Sequence, residues 1–150
     1  MKIISHRGNL IGPGSKSDEN SIQQVVTAIT LHNLDVEIDV RASDFQGSQL
    51  FSGHDTECLH RINLAFLEKF KDNLWIHAKD LMAATVLAKT DLRWFWHEND
   101  KFTMTSKKDI WCYPGIHMDN AIIVALNHRD AEVLPSTCKG VCTDFPLSYR

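Results

Sequence analysis

The hexapeptide Asp35-Val36-Glu37-Ile38-Asp39-Val40 alternates acidic and apolar side chains without a break. An extended strand sorts that alternation into two faces, because successive side chains point to opposite sides. Val36, Ile38 and Val40 make an apolar face, and β-branched residues suit packing against a neighbouring layer. Asp35, Glu37 and Asp39 make the other, with neighbouring carboxylates about 6–7 Å apart along the strand. Like charges this close raise one another's pKa. They coexist on a solvated edge or around a bound cation. Taken alone, the strand reads as a solvated face, and the rest of the chain decides between the two.

The flanking sequence supplies neighbours for it. Residues 2–7 read as a short buried strand ended by Gly8, and Gly12, Pro13 and Gly14 mark a loop. Asn20 or Ser21 caps a helix whose Ile22, Val25, Val26 and Ile29 fall at helical spacing. After the acidic strand come a strand at 49–54, a helix from Asn63, a strand at 74–79, a helix at 81–89 and a strand at 93–98. Such alternation predicts a parallel sheet with covering helices. Beyond residue 89, short strands at 102–106, 109–113, 121–126 and 140–143 follow with no long amphipathic helix between them. The 150 residues have the length of one domain with one core.

The net charge of −3 and the lack of a basic stripe argue against a nucleic-acid partner. No apolar run approaches the roughly 18 residues of a membrane span, so stable membrane insertion is not expected. The apolar run near Met1 is too short for a signal peptide, which makes a cytoplasmic protein the expectation. Cys58, Cys112, Cys138 and Cys142 then read as reduced thiols. Cys138-x3-Cys142 lacks the second pair that a zinc motif needs.

Ionisable groups recur at the ends of five successive predicted strands: His6 and Arg7, Glu37 and Asp39, His54 and Asp55, His77 and Lys79, then His97 and Glu98. In parallel α/β folds, sites lie at the carboxyl ends of strands. Any one of these groups is readily a surface residue, whereas five in series point to one site. Two carboxylates on one strand are hard oxygen ligands for Mg²⁺ or Ca²⁺. Two histidines across a pocket can act as general base and general acid near neutral pH. Arg7 and Lys79 supply positive charge for a phosphate. The set suits phosphodiester cleavage.

His6-Arg7-Gly8, Glu19-Asn20-Ser21, Glu37-Ile38-Asp39 and Gly53-His54-Asp55 resemble, in that order and spacing, the motifs of the glycerophosphodiester phosphodiesterase family. Residues 140–146, Gly-Val-Cys-Thr-Asp-Phe-Pro, are similar to that family's closing strand. The strong match covers residues 2–55. The resemblance implies a TIM-type (β/α) barrel and metal-dependent hydrolysis of a small soluble phosphodiester. It makes His6 and His54 the acid–base pair, Arg7 a phosphate ligand, and Glu37 and Asp39 metal ligands. Glu19 becomes a further ligand or a group orienting Arg7 or His6. In that family a substrate hydroxyl next to the phosphate attacks to give a cyclic intermediate.

Two departures qualify the expectation. The family's fourth strand carries Glu-x-Lys, where this chain has His77-Ala78-Lys79. Imidazole is a softer ligand than carboxylate, so His77 shifts the preference from Mg²⁺ or Ca²⁺ toward Mn²⁺ or Zn²⁺, weakens the site, or leaves the metal altogether. A (β/α) barrel also needs roughly 200–250 residues. The expected form is therefore an abbreviated barrel with second-half helices reduced or missing, and a homodimer covering the exposed sheet. A non-catalytic protein binding a phosphate or a partner on the same scaffold, and a phospholipase D-like headgroup lyase, are the competing functions.

Trp75, Trp94, Phe95, Trp96 and Trp111 read as core before pocket. Trp111 or Tyr113 is a candidate cover for the pocket mouth, and residues 97–100 are either a further ligand source or a polar turn. His60, His117 and His128 read as surface residues, and Asp144 as a bond to a neighbouring loop.

Overall fold

The computed structural model describes residues 1–127 and 134–149, so His128 lies outside the described residues. Ten strands share one mixed sheet. They are β1 (Lys2–His6), β2 (Asp35–Ala42), β3 (Leu50–Ser52), β4 (His60–Ile62), β5 (Leu74–Ala78), β6 (Trp94–Phe95), β7 (Phe102–Met104), β8 (Ile110–Cys112), β9 (Ala121–Val124) and β10 (Gly140–Thr143). Three helices accompany them: α1 (Ile22–Thr30), α2 (Leu64–Lys69) and α3 (Leu81–Leu87). Each begins at a side-chain cap that accepts a backbone N–H, from Ser21, Asn63 and Asp80 respectively.

Seven strands pair in parallel in the order β6-β5-β2-β1-β10-β9-β8. The hairpin β3–β4 adds antiparallel to the carboxyl end of β2, and β7 adds antiparallel to β8. The sheet curls until Ser106 N donates to Trp94 O at 2.7 Å, but among the described residues no ladder joins β6 to β7 or β8.

The expected TIM-type barrel, even abbreviated, is therefore wrong. The fold is a curled half-barrel of mixed strands with three short helices. The physical reason lies in the connections. Parallel neighbours need a crossover of about a dozen residues or more, usually a helix. Residues 43–49 between β2 and β3 are too few, so the third strand turns back antiparallel. Residues 105–109 impose the same on β7 and β8.

The core divides by face. On the outer face, Val36, Ile38, Val40, Leu74, Ile76 and Ala78 meet Val25, Ala28, Ile29, Leu67, Ala83 and Leu87 of the helices. On the inner face, Ile4, Trp75, Phe95, Trp111, Ile122, Val124 and Cys142 fill the floor of the curl. Three of the five aromatics thus pack as core, and Trp94 packs against the outer cluster. Trp96 is 41% exposed.

Both faces of β2 are buried. Glu37 is 3% exposed and Asp39 1%. The solvated-face reading of the acidic strand is wrong, because β5 and β1 flank β2 and curl over its acidic side.

Candidate functional site

Register brings the inner-face groups together. Glu37 pairs with His6 on β1 and with Trp75 on β5, and Asp39 pairs with His77. His77 Nδ1 lies 3.3 Å from Asp39 Oδ1 and 3.7 Å from Glu37 Oε1. Lys79 Nζ is 3.9 Å from Asp39 Oδ1.

A regular strand would point Arg7 away from His6. Arg7 instead adopts φ +56°, a left-handed conformation costly for a non-glycine residue. Its N–H donates to Glu37 O and its carbonyl accepts from Asn20 N, each at 2.9 Å. That turn brings Arg7 Nε to 3.1 Å from Asp39 Oδ2 and lets an Nη donate to Glu19 Oε2 at 2.9 Å. Glu19 also accepts from Asn9. It therefore orients Arg7, one of its two expected roles, and stands outside the tight carboxylate–histidine cluster.

Asn20 holds Asp39 at two points: its Nδ2 donates to Asp39 Oδ2 at 3.0 Å, and its Oδ1 accepts from Asp39 N at 2.8 Å. Ser52 on β3 donates to Asn20 O, tying the hairpin to the site. Sequence reasoning gave Asn20 only a capping role, and its Glu-Asn-Ser context was the available signal. Asp144, expected to bond a neighbouring loop, also holds a site histidine. Its carboxylate accepts from Asn9 Nδ2 at 2.7 Å and faces His6 Nδ1 at 2.8 Å. A carboxylate there makes Nδ1 the protonated nitrogen, which leaves His6 Nε2 toward Glu37, 3.9 Å away.

His54 lies in the connection between β3 and β4 of the hairpin rather than at the end of a parallel strand. Arg41 holds its loop by donating to Gly53 O at 3.3 Å and His54 O at 2.6 Å. A side chain at Gly53 would meet Cys58 O at 2.5 Å, so the loop depends on glycine. His54 Nδ1 bonds Asp55 Oδ1 at 2.9 Å.

His6, Arg7, Glu37, Asp39, His54, His77 and Lys79 line one cavity of about 290 Å³. Trp96, His97, Trp111, Tyr113 and Leu126 line the rest of it. The expected catalytic and phosphate-binding groups thus face a common space. His97 stacks on His77 with ring centroids 4.7 Å apart and planes 3° apart. Asp35, at the far end of β2, bonds Lys2, Asn73 and Trp75 Nε1.

The charges follow from this packing. Burial resists ionisation of Asp39, but His77, Arg7 and Lys79 hold its carboxyl far below the usual range. Burial also resists charging of His77, and Asp39 and Glu37 overcome it, raising His77 above its ordinary 6.5. Burial opposes charge on His6, and Asp144 and then Glu37 raise it above the same value. His97 moves the other way: burial, then the charges of His77 and Lys79, push it down to about 4.

Glu37, Asp39 and His77 each offer one ligand atom, and these lie within 4.8 Å of one another. Glu37 Oε2 and Asp39 Oδ1 are buried with no hydrogen-bond partner among the described residues, and His77 Nδ1 is the ring nitrogen beside both carboxylates. Buried polar atoms rarely stay unpartnered, and a divalent cation would satisfy this donor set. The residues fit a metal ion.

Cys142 packs on the inner floor and Cys138 in a separate cluster with Cys112, Ala121 and Ile123. All four thiols are free. No helix among the described residues is long and apolar enough to cross a membrane. No family model, curated protein or solved structure matches the chain.

Proposed function

We propose that this protein hydrolyses a small phosphodiester of the glycerophosphodiester type, with a divalent cation held by Glu37, Asp39 and His77. The observation that carries the reading is the convergence of two histidines, Arg7, Lys79 and that cluster on one cavity. A binding module needs a phosphate cradle but no acid–base pair.

Arg7 and Lys79 offset the charge of the phosphoryl oxygens. His6 Nε2, with Nδ1 held by Asp144, accepts the proton of the attacking substrate hydroxyl. The new O–P bond forms as the bond to the leaving alcohol breaks, and His54 donates a proton to that departing oxygen. Water then opens the cyclic diester with the two proton transfers reversed. A bound cation would supply further positive charge at the phosphoryl group.

A cavity of about 290 Å³ suits a small diester rather than a nucleic acid. Four free thiols suit a reducing cytoplasm. Phe102 and Met104, exposed on edge strand β7, are the apolar surface a second copy would cover.

The test is turnover of bis(p-nitrophenyl) phosphate with Mg²⁺, Ca²⁺, Mn²⁺ or Zn²⁺, beside His6→Ala and Glu37→Gln. Metal-dependent turnover lost in both variants is expected. Turnover no higher than the variants with every ion sinks the catalytic reading. Retained phosphate binding would then leave a binding protein on the same scaffold.

A further inference from the structure

We infer that the Glu37–Asp39–His77 cluster selects a first-row transition ion such as Mn²⁺ or Zn²⁺ over Mg²⁺ and Ca²⁺. The inference rests on the divalent-cation part of the proposed function and names the class of ion.

The first ground is the donor set. Two carboxylates and one imidazole converge within 4.8 Å. Mg²⁺ and Ca²⁺ favour all-oxygen shells, whereas an imidazole nitrogen suits first-row transition ions, Zn²⁺ more than Mn²⁺.

The second is that the imidazole is fixed in place. His77 is 9% exposed. Its ring stacks on Phe95 at 4.9 Å and on His97 at 4.7 Å. Swinging it out to make room for a water ligand would break both stacks and expose the floor of the curl.

The third is that further protein oxygens are already engaged. Ca²⁺ takes six to eight oxygens. Glu19 is bonded to Arg7 and Asn9, Asp144 to His6 and Asn9, and Asp35 to Lys2 and Trp75. Asp39 Oδ2 is occupied by Asn20 and faces Arg7, which leaves its Oδ1 as the donor.

The fourth is charge. Arg7 and Lys79 lie 3.1 and 3.9 Å from Asp39 and offset the two carboxylates. A hard ion relies on accumulated negative charge and gains less here. An ion that also bonds well to nitrogen loses less.

The experiment is calorimetric titration of metal-free protein with Mn²⁺ and Mg²⁺, joined to pulsed electron paramagnetic resonance of the Mn²⁺ complex. Mn²⁺ is expected to bind at least about tenfold tighter than Mg²⁺, with ¹⁴N coupling from one imidazole. His77→Glu is expected to remove the coupling and narrow the ratio. The spectrum of the unsubstituted protein stands as a test even if the variant misfolds. Equal or tighter Mg²⁺ binding overturns the inference, and so does a Mn²⁺ complex without nitrogen coupling. Diester turnover without ion preference removes the inference and leaves the proposed function standing. Selective nitrogen-ligated Mn²⁺ binding without turnover does the reverse. Failure of both ions to bind removes the inference together with the metal-dependent reading.

Discussion

Residues 1–89 and residues 90–149 build one curled sheet by different means. In the first region α1, α2 and α3 pack on the outer face of β2 and β5. In the second, the described residues contain no α-helix, and Ile116, Leu134 and Cys138 from the connections cover β8 and β9 instead. The inner face is common to both. The first region carries His6, Arg7, Glu37, Asp39, His54, His77 and Lys79, and the second contributes the wall of Trp96, His97, Trp111 and Tyr113. The difference teaches where helices are needed. A strand holding buried charges in exact register must be clamped on its other face, and β2 and β5 are. Strands that offer apolar walls tolerate a thinner cover of loops.

The division of labour can be broken from either side. His6→Ala removes a proton-transfer group from the first region, and kcat/KM should fall by about 10²–10⁴; steady-state kinetics measures it. In the second region, Phe95→Ala should cost about 3–5 kcal/mol in urea unfolding, because Phe95 is fully buried against Trp111 and His77. An unchanged midpoint would mean that the second region does not share the inner core.

Smaller effects sharpen the same contrast. Asn20→Ala touches no substrate in this account but frees Asp39, and metal affinity by calorimetry should weaken about 10- to 100-fold. The His6–Asp144 pair joins the two regions and is pH-sensitive. His6 is raised in the folded state, so its contribution is full below its unfolded value of 6.5 and fades as pH rises through the folded value. Asp144 is lowered, first resisted by burial and then driven by His6, so its contribution is present above 3.8 and fades as pH falls. The stability lost in Asp144→Asn, measured with chelator present, should therefore peak between roughly pH 4 and 6.5. Met104→Ser on the exposed edge should change stability by no more than about 0.5 kcal/mol while lowering any dimer mass in light scattering.

Local pattern revealed the elements, and pairing hid the architecture. Strict alternation at residues 35–40 and caps at Ser21, Asn63 and Asp80 were legible because each is a short-range signal. Of the eight residues with an expected catalytic, phosphate-binding or metal-binding role, all but Glu19 line the cavity. The antiparallel turn of β3 was encoded only in the brevity of residues 43–49. Strand β4, three residues long, carries too little periodicity to be read. The Asn20 clamp on Asp39 and the stack of His97 on His77 depend on chain segments far apart in sequence, so no local window contains them.

The most direct test of the central claim is the ³¹P spectrum of glycerophosphocholine incubated with the protein and Mn²⁺. Conversion of the diester resonance to a phosphomonoester through a cyclic diester is expected, abolished by chelator and by His6→Ala. A diester resonance that persists unchanged with Mn²⁺, Zn²⁺, Mg²⁺ and Ca²⁺ would contradict it.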